Sequence, residues 1–139
     1  MTNALNDFIC DNFDEMYVSG GVSINEIELS ENILNVKLEN EYKSYLMKYG
    51  MIMGFGVEIL GFGKNVKSPL VEQTLRFRKM GLENNYIVIR NLDEWIYCLN
   101  VNNGDVSSWD AINKNHIIVS DSFNKYVVEE LNEAKEDWE

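Results

Sequence analysis

The chain has 139 residues, 45% of them hydrophobic, and its 23 acidic and 12 basic side chains give a formal net charge of -11. This length is typical of one domain, here residues 1–139, that buries a hydrophobic core without metal ions or disulfides. The acidic charge argues against a nucleic-acid-binding protein, because contacts with phosphates need clustered lysine and arginine side chains.

Neither a membrane span nor a secretory signal is visible. Residues 1–15 lack a basic start and a continuous apolar run, and no segment approaches the roughly 20 apolar residues that cross a bilayer. Cys10 and Cys98 have neither C-x-x-C nor zinc-knuckle spacing, so we expect free thiols that are buried as small apolar side chains. These observations predict a cytoplasmic protein with no membrane partner.

The acidic charge is concentrated at the two ends of the sequence. Residues 1–35 contain seven acids and no lysine or arginine, and residues 121–139 contain seven acids and two lysines. The region between them, with ten bases and nine acids, is nearly neutral. Such a distribution favours a basic partner, although the commoner role of an acidic helix face is to keep a protein in solution.

Three helices are predicted in the first part of the chain. Residues 3–16 form the first, because four apolar side chains recur at helical spacing: Leu5, Phe8, Ile9 and Phe13. Ser23 and Glu26 have capping-box spacing ahead of the second helix, and Asn35 suits its left-handed end. The third helix ends before Gly50. Its buried face is predicted to consist of Tyr42, Tyr45, Leu46 and Tyr49.

A glycine-bracketed segment, VEILGF at residues 57–62, predicts a short strand between tight turns. A phosphate-binding loop is excluded there, because no Lys-Ser/Thr pair follows the glycines and no strand leads directly into a helix. Ser68 and Pro69 predict the cap and first turn of a further helix, which continues to Met80.

Antiparallel strands and a closing helix are predicted for the rest of the chain. YIVIRNL (86–92) and EWIYCLNV (94–101) read as strands, and Asn102-Asn103-Gly104 suits a tight hairpin that returns through residues 106–109. The last helix has an apolar stripe formed by Phe123, Tyr126, Val127, Leu131, Ala134 and Trp138. This order of elements predicts an α+β fold, in which one twisted, mainly antiparallel sheet is flanked by helices.

No catalytic set is apparent. His116 is the only histidine, and nothing in the sequence places it beside a serine or cysteine with a third group that would orient the ring. Cys98 lacks a neighbouring base that would activate it. Paired acids, such as Asp105 with Asp110, lack the further ligands that a metal site or glycosidase chemistry would need. We therefore expect no enzymatic activity, no cofactor and no bound metal.

Five segments in order resemble the SUKH superfamily of immunity proteins, whose domain also occurs in the yeast cell-wall-assembly regulator, and especially its bacterial YobK-like branch. The matching segments are residues 24–50, 56–62, 86–91, 94–110 and 121–138. Two positions depart from the family pattern: Glu39 stands where a proline is usual, and Asn35 where a glycine is frequent. Both residues are compatible with the same local conformation, since glutamate suits a helix N-terminus and asparagine tolerates a left-handed helix end.

The resemblance implies an α+β SUKH fold and a protein that is not an enzyme. It further implies an immunity protein that binds and blocks a cognate secreted toxin, often a nuclease of a polymorphic or contact-dependent system. An acidic protein suits that role, because a nuclease presents a basic cleft and opposite charges speed and orient association.

Acids and exposed aromatic side chains are typical of interfaces with a basic protein, so these residue types are the candidate partner contacts. They fall into two groups by position. The first group lies near the predicted hairpin and comprises Glu58, Asp93, Glu94, Trp95, Asp105, Trp109 and Asp110. The second lies on the last helix and comprises Glu129, Glu130, Glu133 and Asp137. Core packing is expected for at least two of the three tryptophans, and the oligomeric state is expected to be a monomer or a weak homodimer.

Two alternatives remain open. One is a regulatory scaffold domain that binds cellular proteins without any toxin, and the other is a small hydrolase with buried acids of raised pKa. A toxin gene directly beside this one would favour the immunity role over the scaffold.

Overall fold

Five α-helices and seven strands make up the described part of the chain, which in this computed structural model comprises residues 3–63, 68–93 and 95–138. The helices are α1 (Ala4–Asp11), α2 (Ile24–Leu34), α3 (Asn40–Tyr49), α4 (Pro69–Arg78) and α5 (Phe123–Trp138). The strands are β1 (Tyr17–Val18), β2 (Ile52–Gly54), β3 (Val57–Ile59), β4 (Tyr86–Asn91), β5 (Ile96–Asn100), β6 (Val106–Asp110) and β7 (Asn115–Ser120). None of these helices combines the length and apolar character needed to cross a bilayer.

The strands form two antiparallel sheets, in the orders β1-β2-β3 and β4-β5-β6-β7. Where one sheet was predicted there are two, and a backbone hydrogen bond from Leu60 N–H to the carbonyl of Ile89 joins them at 2.8 Å. The α+β class with antiparallel pairing is confirmed. β1 and β2 were not predicted from the sequence, because runs of two and three residues carry too little periodicity to identify a strand.

Most predicted helix ends are confirmed by capping contacts. Ser23 Oγ accepts a hydrogen bond from Glu26 N–H at 3.3 Å, while the Glu26 carboxylate accepts from the Ser23 hydroxyl and not from its backbone N–H. Asn35 adopts the left-handed conformation with φ 56° and ψ 46°. Glu39, at the position of the family proline, caps α3 by accepting from Tyr42 N–H at 3.0 Å.

The first helix is shorter than predicted and ends at Asp11. Asn12 Nδ2 donates to the carbonyl of Phe8 at 2.8 Å, and such a side-chain bond to the backbone competes with continuation of the helix. A 3-10 turn over Phe13–Glu15 follows, and Phe13 is exposed there. The prediction that Phe13 belongs to the apolar side of this helix was therefore wrong.

The glycines around β3 allow close backbone packing. A Cβ on Gly61 would lie 2.0 Å from the carbonyl oxygen of Gly50, a separation that no side chain tolerates. That same carbonyl accepts a hydrogen bond from Phe62 N–H at 2.9 Å. Gly61 therefore lets the segment after β3 lie directly against the end of α3.

Two hydrophobic clusters lie on opposite faces of the four-stranded sheet, because side chains alternate along each strand. The larger cluster is formed with α1, α3 and α5, and Tyr42 packs edge-on against Phe123 at 5.0 Å between ring centroids. The smaller one includes Phe77 of α4, Trp109 and Cys98. Cys98 is buried as predicted, whereas Cys10 lies on the exposed side of α1, so the expectation of burial was wrong for Cys10.

Candidate functional site

Alternate turns of the β4–β7 meander lie at opposite ends of the sheet. The β4–β5 and β6–β7 turns share one end, since Ile96 pairs with both Asn91 and Trp109. Continuing that register by one residue places Trp95 beside Asp110. Asp105 lies in the β5–β6 turn at the other end of the sheet, so the predicted hairpin residues do not form a single cluster.

Exposed apolar and acidic side chains meet at the shared end. We call this the turn surface and define it as Leu92, Asp93, Trp95, Asp110 and Ile112. Leu92 and Trp95 are exposed, and Ile112 has 89% of its surface accessible. Leu92 and Ile112 were not predicted, because a lone apolar residue in a turn carries no periodic signal. The turn surface thus offers apolar anchors beside carboxylates.

A chain of side-chain contacts joins the turn surface to α5. Trp95 Nε1 donates to the hydroxyl of Tyr97 at 3.3 Å, and the Tyr97 ring lies 5.3 Å from that of Tyr126. The guanidinium of Arg90 lies over the Tyr97 ring at 5.7 Å and donates to Glu130 Oε1 at 2.6 Å. These contacts therefore connect Trp95, from the first group of predicted contact residues, with Glu130, from the second.

The four predicted contact acids of α5 differ in their surroundings. Glu130 is half-buried in its ion pair with Arg90, whereas Glu129, Glu133 and Asp137 are exposed. α1 packs against α5, and further acids are exposed on α1 and on the turn after it. These are Asp7, Asp11, Asp14 and Glu15. The first and last helices, one from each acidic end of the sequence, therefore pack against each other.

Asp110 acts mainly as a turn residue. Its carboxylate accepts from Ile112 N–H at 2.8 Å and from the side-chain amide of Asn113 at 2.7 Å. The bond from Ile112 N–H, followed by that from Asn113, lowers the pKa of the Asp110 carboxyl. Asp93 adopts a left-handed conformation with φ 67°, and its N–H donates to Asn91 Oδ1 at 2.8 Å.

Other predicted contact residues lie outside this region. Trp109 is 1% exposed and packs edge-on against Phe77, so its prediction as a contact residue was wrong. Trp109 is also the only one of the three tryptophans in the core, which corrects the expectation that at least two would be buried. Glu58 is exposed on β3 in the other sheet. Glu94 lies outside the described residues.

His116 has partners that sequence reasoning missed. Its Nδ1 lies 2.8 Å from Ser107 Oγ, and its Nε2 lies 3.1 Å from Glu83 Oε1. The ring stacks on Tyr86 with 4.0 Å between centroids. The β6–β7 register, which pairs Trp109 with His116, brings Ser107 beside His116. Glu83 precedes β4, so its contact with His116 depends on how the whole sheet folds. Hydrogen-bonding contacts therefore connect a serine, a histidine and a carboxylate in that order.

A family model described as SMI1-KNR4 cell-wall, SUKH_5, matches residues 2–132, nearly the whole chain. The chain belongs to the SUKH superfamily. The resemblance in the sequence is thereby confirmed, while the assignment to the YobK-like branch stays a prediction. The match to the SUKH model includes Glu129 and Glu130 and ends before Glu133 and Asp137.

SUKH domains are generally non-catalytic immunity or regulatory proteins, and the geometry around His116 is consistent with that. Ser107 is 2% exposed, so its hydroxyl is withdrawn from any substrate in solution. Burial also raises the pKa of the Cys98 thiol, which disfavours the reactive thiolate. Within residues 3–63, 68–93 and 95–138, no three histidine, cysteine or acidic side chains converge on a metal position. The exposed turn surface and α5 acids suit binding better than chemistry.

Proposed function

We propose that this SUKH protein is a cytoplasmic immunity protein that neutralises a cognate secreted toxin by stoichiometric, non-covalent binding. The favoured toxin is a nuclease with a basic surface. The observation that carries the proposal is that the exposed Trp95 is joined through Tyr97 and Tyr126 to α5, which carries the exposed acids Glu129 and Glu133. This region combines an aromatic anchor with negative charge, which is the complement of a basic cleft.

The two parts of this region have different roles in the proposed complex. Trp95 contributes contact area, and its indole is held in place by the hydrogen bond to Tyr97, so little conformational entropy is lost on binding. Glu129 and Glu133 are exposed charges that attract a basic partner during the encounter. Loss of Trp95 is therefore expected to speed dissociation, and loss of the acids to slow association.

Growth rescue and pull-down with any toxin domain that is encoded beside this gene test the proposal. Cells that produce the toxin domain should grow only when the protein is also produced, and the two proteins should co-purify. Trp95→Ala should weaken binding by about tenfold or more, as expected for an interface hot spot. Leu29→Ala removes an exposed apolar side chain from α2, outside the region, and should leave binding unchanged.

A charge-matched pair of variants tests the role of α5. Glu129→Gln with Glu133→Gln should lower the association rate several-fold at low salt, and this difference should shrink at physiological salt. Glu28→Gln with Glu72→Gln removes two exposed acids from α2 and α4 and should alter the rate much less. Equal effects of both pairs would show that net charge, and not this surface, attracts the partner.

A second candidate function is a non-enzymatic regulatory scaffold that binds cellular proteins. The cell-wall description of the matching SUKH family model favours it. The scaffold would be supported if no neighbouring toxin domain binds and if deletion of the gene alters cells that meet no toxin.

A further inference from the structure

β7 is an open edge of the four-stranded sheet. At the opposite edge, β4 is covered by the hydrogen bond that Leu60 N–H donates to Ile89. Among the described strands, β7 pairs only with β6. Ile117 is 67% exposed and Ile118 is 66% exposed, on opposite faces of the strand. An exposed apolar edge of this kind is a template for pairing with another strand.

The usual protective features of an edge strand are mostly missing from β7. Its sequence, NHIIVS, has no lysine and no proline. One irregularity remains: Ser107 pairs with Ile118 and Val106 with Ser120, so Val119 is an extra, bulged residue. The strand is also firmly held, because His116 contacts Ser107 and Glu83. β7 therefore presents a short, preformed edge from Asn115 to Ile118, ahead of the bulge.

We propose that β7 pairs antiparallel with β7 of a second copy of this chain, about a two-fold axis through Ile117. The pairing would join two four-stranded sheets into one continuous sheet. Ile117 would face Ile117 of the second copy, and His116 would face Ile118. Residues directly opposite each other in an antiparallel pair point to the same face of the sheet. Because side chains alternate along a strand, a two-fold axis meets this condition only where a residue lies opposite its own copy.

Charge complementarity selects Ile117 as the residue on the axis. Lys114 and Asp121 flank the two ends of β7. With the bulge at Val119 counted as one extra residue, extending the register past the strand ends brings Lys114 opposite Asp121 of the second copy, twice in each dimer. Moving the axis to His116 or Ile118 places Lys114 opposite an uncharged residue. Among the described residues, neither charge has a close counter-ion: the Lys114 ammonium donates to the neutral carbonyls of Met80 and Ala111, which it would leave on pairing, and Asp121 has only an exposed partner, Lys125, at 3.8 Å.

The proposed dimer is weak and depends on concentration. One strand pair with a few isoleucine contacts is smaller than a standard interface of roughly 1,200–2,000 Å². Each copy also has a net charge of -11, so the two chains repel each other at long range. The pairing is independent of the proposed immunity function, since it uses neither Trp95 nor the acids of α5.

Sedimentation velocity of the full chain from micromolar to millimolar concentration tests the proposal. A reversible monomer–dimer equilibrium is expected, and Ile117→Lys should weaken it by about tenfold or more because a charge would be buried at the axis. Ile112→Lys makes the same change at a more exposed isoleucine outside the strand and should leave the equilibrium unchanged. A wild-type protein that stays monomeric, or an Ile117→Lys variant that dimerises equally well, would overturn the proposal.

A charge exchange tests the register. Lys114→Glu and Asp121→Lys should each weaken the dimer, because each places like charges opposite one another, and the double variant should restore it. Circular dichroism and urea unfolding establish that each variant is folded. Failure of the double variant to recover would rule out pairing about Ile117.

Discussion

Arg90 on β4 and Glu130 on α5 are joined by a hydrogen bond of 2.6 Å between Nη1 and Oε1, and both side chains are partly buried. Arg90 also donates to the hydroxyl of Tyr126 at 3.1 Å. The pair thus fixes the last helix to the sheet. Glu130 is therefore held in an ion pair, whereas Glu129, its neighbour in the sequence, is exposed to solvent.

Glu130→Gln should therefore destabilise the protein by about 2 kcal/mol, because a charged hydrogen bond to a partly buried guanidinium is weakened. Glu129→Gln, one residue earlier, should change the free energy of unfolding by less than about 0.5 kcal/mol. Urea denaturation of both variants measures the difference. If the two variants were equally stable, the ion pair would contribute no more than a surface pair.

Gly61→Ala should be strongly destabilising, since its Cβ would lie 2.0 Å from the backbone oxygen of Gly50. Backbone cannot yield as a flexible side chain does, so we expect a loss of about 2 to 4 kcal/mol. Gly63→Ala is the matched control, because no atom lies within 4 Å of its added Cβ. Thermal unfolding should separate the two variants clearly. A wild-type melting temperature for Gly61→Ala would contradict the close approach.

The Ser107–His116–Glu83 chain should stabilise the fold and take no part in toxin neutralisation. Ser107→Ala and His116→Gln should each lower stability by about 1 kcal/mol through lost hydrogen bonds. Growth rescue by the folded variants should remain at the wild-type level. Complete loss of rescue by a stable Ser107→Ala variant, with binding retained, would instead support the hydrolase alternative.

Local signals in the sequence predicted most elements correctly. Ser23, Asn35 and Ser68 occupy the helix ends that their side chains favour. Gly104 has a positive φ of 84° in the predicted hairpin, whereas Asn103 does not, so the Asn-Gly pair is only half in the left-handed conformation expected. These features depend on neighbours within a few residues and are therefore readable from the sequence.

Long-range features were not predictable in the same way. Trp95 and Trp109 both lie at strand ends, and only the fold determines that Trp109 packs under α4 while Trp95 stays accessible. A change of one residue in register exchanges the buried and exposed faces of a strand. The contact of His116 with Glu83, 33 residues away, likewise depends on the tertiary fold. The candidate surface was thus only partly visible from the sequence.

Asp110 makes the stability of the β6–β7 turn dependent on pH. The Ile112 N–H and the Asn113 amide lower the pKa of its carboxyl in the folded state, so the folded protein favours the ionised form more than the unfolded chain does. A depressed folded-state pKa contributes stability above the unfolded value of about 3.9, and this contribution is lost as pH falls through the folded-state pKa. Asp110→Asn should consequently be less stable than the wild type at neutral pH.

That difference should shrink as the solution is acidified below the unfolded-state pKa, because the wild-type carboxyl is then progressively protonated too. Urea titrations of both proteins at a series of pH values measure it. Asn113→Ala removes one of the two donors and should reduce the pH-dependent part without abolishing it, since the bond from Ile112 N–H at 2.8 Å remains. A stability difference between wild type and Asp110→Asn that stays constant with pH would show that the carboxylate charge does not hold the turn.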